Sequence, residues 1–109
     1  MYVIYKVYTW DEVYERKVSP EYYLVPSHIV NDFLDWLEEQ MYQDHCEVES
    51  CDMNLEIRCG NELTVWEYYD EIKNEEELKR FLEEVKREMR VVHVVKEDNF
   101  SEAETIWPV

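Results

Sequence analysis

Three cysteines (Cys46, Cys51, Cys59), three histidines (His28, His45, His93) and 27 carboxylates are the groups of this 109-residue chain able to ligate, cross-link or transfer a proton. Their spacing points to little chemistry. The cysteines lack the paired spacing of a zinc ribbon. Asp44, His45, Cys46, Asp52 and Cys59 form the only metal donor set worth weighing, and small buried hydrophobes are the plainer role for such cysteines. No Ser/His/Asp or Cys/His arrangement can be read. His93 falls in an apolar run, as a core histidine does, and His28 falls in the first turn of a helix. The carboxylates offer general acids in number, but nothing singles out a pair. With one glycine, Gly60, the chain has neither a Gly-rich phosphate loop nor a dinucleotide fingerprint. The expectation is therefore a protein that is not an enzyme, with no catalytic residue, metal or cofactor assigned.

The elements that carry these groups follow from patterning. Residues 1–10 are β-branched and aromatic with apolar side chains on both parities, the mark of a strand covered on both faces. A return strand is expected at 13–18, ending before Pro20. Ser27 is the N-cap expected for a first helix at 28–43, with Ile29, Val30, Phe33, Leu34, Trp36, Leu37 and Met41 as its apolar stripe. Asp32, Asp35, Glu38 and Glu39 lie on the opposite side of that helix. Asn74 caps a second helix whose buried stripe is Leu78, Phe81, Leu82, Val85 and Met89. Glu75, Glu76 and Glu77 sit at the positive end of its dipole, and Lys86, Arg87 and Arg90 at the negative end. Between the helices a hairpin turning at 51–54 sets Glu47 opposite Arg58, Val48 opposite Ile57 and Ser50 opposite Leu55. The apolar pairs then share one face. The same register opposes Glu49 to Glu56, which is unfavourable. It also opposes Cys46 to Cys59, close enough for a disulfide in an oxidising compartment, and leaves Cys51 over. A strand at 63–69 has Leu63 and Val65 competing with Trp66 and Tyr68 for its inner face. Val91 to Lys96 reads as a central strand, and the tail from Asp98 as polar until Ile106 and Trp107. These elements predict a single α+β domain over 1–109. Its order is ββ-α-ββ-α-β, a four- to five-stranded mostly antiparallel sheet with both helices on one face.

Charge is the strongest signal. The net charge is −16, against a magnitude of about 2–8 for an ordinary small domain. From residue 18 through 72 there are fourteen carboxylates and one basic residue, Arg58. The second helix differs: Glu75–Lys79, Glu76–Arg80 and Glu83–Arg87 are spaced i, i+4 with the acid first, so self-pairing is expected there. The first helix holds no Lys or Arg at all. A solvated face usually mixes signs, so an acidic binding surface is expected on the first helix and hairpin: Asp32, Asp35, Glu38, Glu39, Asp44, Glu47, Glu49, Asp52 and Glu56. Nine tyrosines and four tryptophans supply residue types favoured at hot spots. Tyr42 and Trp66 are the leading candidates, with Tyr22 and Tyr23 beside them.

No apolar run approaches the roughly 20 residues of a membrane span, and the N-terminus has no signal-peptide pattern, so a soluble cytoplasmic protein is expected. Its charge disfavours direct contact with nucleic acid or an anionic membrane. A line of carboxylates presents a potential comparable to a phosphate backbone. The expected function is an acidic inhibitor occupying the basic, nucleic-acid-binding surface of a partner protein. Anti-restriction and anti-CRISPR proteins of viruses act in this way as a functional class. An immunity protein against a nuclease toxin is the alternative. A homodimeric structural protein and a cysteine or metal enzyme rank below it.

Overall fold

A computed structural model describes residues 1–108. The strands are β1 (Tyr2–Asp11), β2 (Arg16–Lys17), β3 (Glu21–Pro26), β4 (Glu47–Cys51), β5 (Asn54–Cys59), β6 (Glu62–Ile72), β7 (Val92–Val95) and β8 (Ala103–Trp107). The helices are α1 (Val30–Gln43), preceded by a 3₁₀ turn at Ser27–Ile29, and α2 (Glu75–Glu88). All strands join one mixed sheet of eight, ordered β4-β5-β6-β1-β3-β7-β8, with β2 pairing the far end of β1. The expected sheet of four to five strands is thus too small. Two strands account for much of the difference. The return of the first hairpin breaks at Pro20, so only Arg16–Lys17 pairs near the turn and β3 resumes beyond it. The tail, read as polar coil, pairs with β7 as β8.

The helices lie on opposite faces of the sheet, not on one. Alternation along β1 shows this directly: Val3 and Tyr5 join the cluster of Val30, Phe33 and Leu37 from α1, whereas Ile4 joins that of Phe81 and Val85 from α2. Topology supplies the reason. β3, β4, β6 and β7 all run parallel by the pairing pattern. The connection β3-α1-β4 therefore crosses toward one sheet edge, and β6-α2-β7 crosses toward the other. Two crossovers of the same, right-handed sense moving in opposite directions must cover opposite faces.

A bulge in β6 settles the ambiguous register. Tyr68 pairs with Tyr5 and Asp70 with Ile4, which leaves Tyr69 extra. Before the bulge, Trp66 and Tyr68 point to the α1 face, where both rings meet Tyr5. Beyond it the parity flips, and Ile72 enters the α2 cluster. Tyr69 also turns to that side, 5.2 Å from Tyr22.

The helix ends follow their chemistry unequally. Asn74 Oδ1 accepts the Glu77 N–H at 2.9 Å, and Glu77 reaches back to the Lys73 N–H at 2.8 Å, a reciprocal cap. Ser27 does not cap: its Oγ is buried without a partner, because the chain enters α1 through a 3₁₀ turn with no side-chain cap bond. None of the i, i+4 pairs expected on α2 closes to 4.0 Å. Lys86 lies instead over the Trp107 ring, 5.1 Å from its centroid, where the β8 strand brings it. Among the described residues no helix is long and apolar enough to cross a membrane.

Candidate protein-binding surfaces

The acidic residues divide between two surfaces. On α1 the periodicity that buries Val30, Phe33 and Leu37 leaves Asp32, Asp35 and Glu39 exposed. Glu38 is half-buried and accepts the Tyr42 hydroxyl at 3.1 Å, a bond that raises the Tyr42 pKa. Tyr42 is 54% exposed, as an interface residue must be. Asp44 ends the helix, its N–H donating to the Gln40 carbonyl. The loop after β7 extends this surface in a way the sequence order conceals. Phe100 packs on Phe33 and Trp36 at 5.8 and 6.0 Å, and Glu97 meets His28 at 3.2 Å. Glu97 thereby joins the acids beside α1.

The hairpin acids face the other way. β4 and β5 pair in the expected register, Glu47–Arg58 through Cys51–Asn54. Asp52 adopts φ 55°, the positive value that a two-residue hairpin loop requires at its first central position. Leu55 and Ile57 are buried beneath α1 with Val48 packed against them. Glu47, Glu49, Glu56 and Arg58 must therefore point to the opposite face. α2 covers only one end of that face, so this part of the sheet is open. Val65 and Leu63 of β6 and Tyr8 and Lys6 of β1 continue the same face by cross-strand pairing.

Electrostatics confirm the neighbourhood. The Tyr8 pKa is raised by burial first and then by the carboxylates of Glu67 and Glu56. Arg58 is held protonated first by its hydrogen bond to Glu12, with smaller contributions from Glu47 and Glu49. Arg58 and the Lys17 ammonium, 4.2 Å from the Tyr8 centroid, interrupt the patch. Glu49 and Glu56 stand directly opposite each other and exposed. Among the described residues, Asp32, Asp35, Glu38, Glu39, Asp44, Glu47, Glu49, Asp52 and Glu56 have no Lys, Arg or His nitrogen within 4.0 Å.

Trp66 is not on either surface. It is 8% exposed and sits among Tyr5, Tyr23 and Phe33 at 4.8–6.0 Å, a core residue. Tyr22, 5% exposed, is core as well. Besides Tyr14 in the β1–β2 turn, the exposed tyrosines outside the expected binding set are Tyr68 and Tyr69. Their exposure follows from the shortness of β5, which no local pattern announces.

Cys46 and Cys59 are joined in a disulfide with Cα atoms 4.6 Å apart, and Cys51 is free and exposed. The bond removes both thiolates from the metal donor set weighed above. His93 ties three strands together: Nε2 lies 3.0 Å from Glu21 Oε2 and Nδ1 2.9 Å from Thr105 Oγ1, with the ring 4.6 Å from that of Tyr23.

No protein-family model, curated protein or solved structure matches this chain.

Proposed function

We propose that this chain is a non-catalytic, acidic inhibitor that occupies the basic, nucleic-acid-binding surface of a protein partner. The observation that carries the reading is the uncompensated state of its acids. A protein that used them only for stability would pair them, and Glu49 opposite Glu56 does the reverse. Directly opposed like charges cost roughly 0.2–1 kcal/mol, and a cation supplied by a partner relieves that cost. Since α1 and the open hairpin face lie on opposite sides of the sheet, one flat partner surface meets one of them at a time. On the hairpin face Glu47, Glu49 and Glu56 are held on paired strands. The proposal keeps the cytoplasm as the working compartment. The Cys46–Cys59 bond bears against that placement, because reducing pools keep thiols free; thiol alkylation in freshly lysed cells decides it.

The test uses partner capture from lysate at low and high salt, followed by identification. The expected partner is a basic nucleic-acid-binding protein whose capture weakens steeply with salt. Glu56→Lys should raise stability by about 0.5 kcal/mol, within the range for cross-strand pairs, and at the same time reduce capture. Asp32, Asp35, Glu38 and Glu39 changed together to Asn or Gln test the other face. If capture survives both sets of changes, or is insensitive to salt, the acidic surfaces are not the binding element.

A further inference from the structure

The sheet has a step in it. β5 pairs with β6 only from Glu62 to Trp66, while β6 continues to Ile72. From Tyr68 onward one edge of β6 pairs with β1, and the other faces no strand among the described residues. Side chains stand in for the missing neighbour. The Tyr68 N–H donates to Asn54 Oδ1 at 2.7 Å, and the Glu71 N–H to Asp70 Oδ1 at 2.8 Å. Donors facing one edge normally recur every second residue; the extra residue at Tyr69 makes Tyr68 and Glu71 successive donors on this edge.

A groove of about 590 Å³ runs between this edge and α2. Ile72 and Phe81 form its apolar floor, and Tyr69, 43% exposed with its ring 6.5 Å from that of Phe81, stands beside them. On its rim Asp70, Glu71, Glu77 and Glu84 outnumber Lys73 and Arg80.

We infer that this notch takes up an extended, basic segment of a protein partner as an added strand of the sheet. The arriving backbone replaces the two side-chain acceptors with carbonyls, so main-chain bonds supply affinity. Alternate side chains of the segment fall into the groove against Tyr69 and Phe81, and the others meet the rim carboxylates. Charge selects the occupant. A second copy of this chain would bring the same acids to the contact and be repelled. The bulge and the edge carboxylates guard the strand against unspecific pairing, and a Lys- or Arg-bearing segment is the one that turns the guard into attraction. The inference rests on the reading of the chain as a binder of basic proteins and assigns that binding a second, backbone-mediated contact.

Titration of the isotope-labelled full chain with an acetylated peptide of alternating lysine and valine tests it by NMR. The control is the same peptide N-methylated at every residue, which blocks main-chain pairing along both of its edges. The expected result is perturbation and slowed exchange at the Tyr68 and Glu71 amides, with the N-methylated peptide bound on the order of tenfold more weakly, the effect of one or two lost main-chain hydrogen bonds. Asp70→Lys with Glu84→Lys should weaken the unmodified peptide to a similar degree. Equal binding of both peptides, or unperturbed Tyr68 and Glu71 amides, overturns the inference. Perturbation confined to Glu47, Glu49 and Glu56 does so while leaving the proposed acidic surface standing; no perturbation on either surface counts against both.

Discussion

Replacing Cys46 and Cys59 together with alanine should destabilise the protein by about 3 kcal/mol. The bond spans a sequence separation of 13 residues, and closing a loop of that length removes roughly that much entropy from the unfolded chain. In the folded chain the bond joins opposed positions one step beyond the Glu47–Arg58 pair. His45, at φ 61°, reverses the chain just before it, and the Cys46 N–H donates to the Met41 carbonyl. The disulfide therefore ties the end of α1 to the open end of the hairpin, and β4, an edge strand, depends on it most. For a chain of 109 residues, about 4 °C of melting temperature is lost per kcal/mol, so the midpoint should fall by about 12 °C. Thermal melts with and without reductant measure this. Reductant should lower the parent toward the double variant and leave the variant unchanged, since Cys51 remains in both. Amide exchange should quicken first in β4 while β1 and β3 stay protected. A double variant melting within about 3 °C of the parent, on the same scale, would refute the reasoning. So would a variant that still responds to reductant.

Alkali should unfold the protein in a window set by buried tyrosines. Burial pushes the pKa of Tyr5 and of Tyr22 up to about 12, with smaller contributions from Tyr68 and Tyr69 respectively. The folded state holds these protons after the unfolded chain has lost them near pH 10, so stability is full below pH 10 and falls as pH rises toward 12. The loss is roughly 2–3 kcal/mol per tyrosine, read as tyrosinate absorbance rising together with loss of circular dichroism; titration of all nine tyrosines near pH 10 with the fold intact would contradict it. Trp66→Ala should cost about 3–5 kcal/mol as a core truncation. At a temperature where the variant remains folded, its binding to a basic partner should match the parent, and a selective loss of binding at unchanged stability would return Trp66 to the interface.

Much of the local structure was legible in the residues. The Asn74 cap, the apolar stripe of α1, that of α2 from Leu78 through Val85 and the hairpin register follow from short-range chemistry, and the structure has each of them. Met89, expected to end the buried stripe of α2, instead takes the left-handed C-cap conformation and is 86% exposed. The Ser27 cap failed because a 3₁₀ turn intervenes, a choice made by the approach of β3 and Pro26. Trp66 was misassigned because alternation alone gives two equivalent faces in a strand covered on both sides. The bulge at Tyr69 then switches parity partway along, a feature set by pairing with β1. Pro20 hid the true return strand by dividing it into Arg16–Lys17 and Glu21–Pro26.

By itself, then, the sequence determined how much charge there is and on which segments it falls, because composition and i, i+4 or i, i+2 spacing are local properties. Only the tertiary structure decided which acids share a surface. The opposed crossovers of α1 and α2 send the helix acids and the hairpin acids to opposite faces, and the packing of Phe100 on Trp36 brings Glu97 to α1 from the far end of the chain. Strand order and crossover hand are long-range choices. They are made by the burial of two apolar helix faces against one sheet, and no window of neighbouring residues contains them.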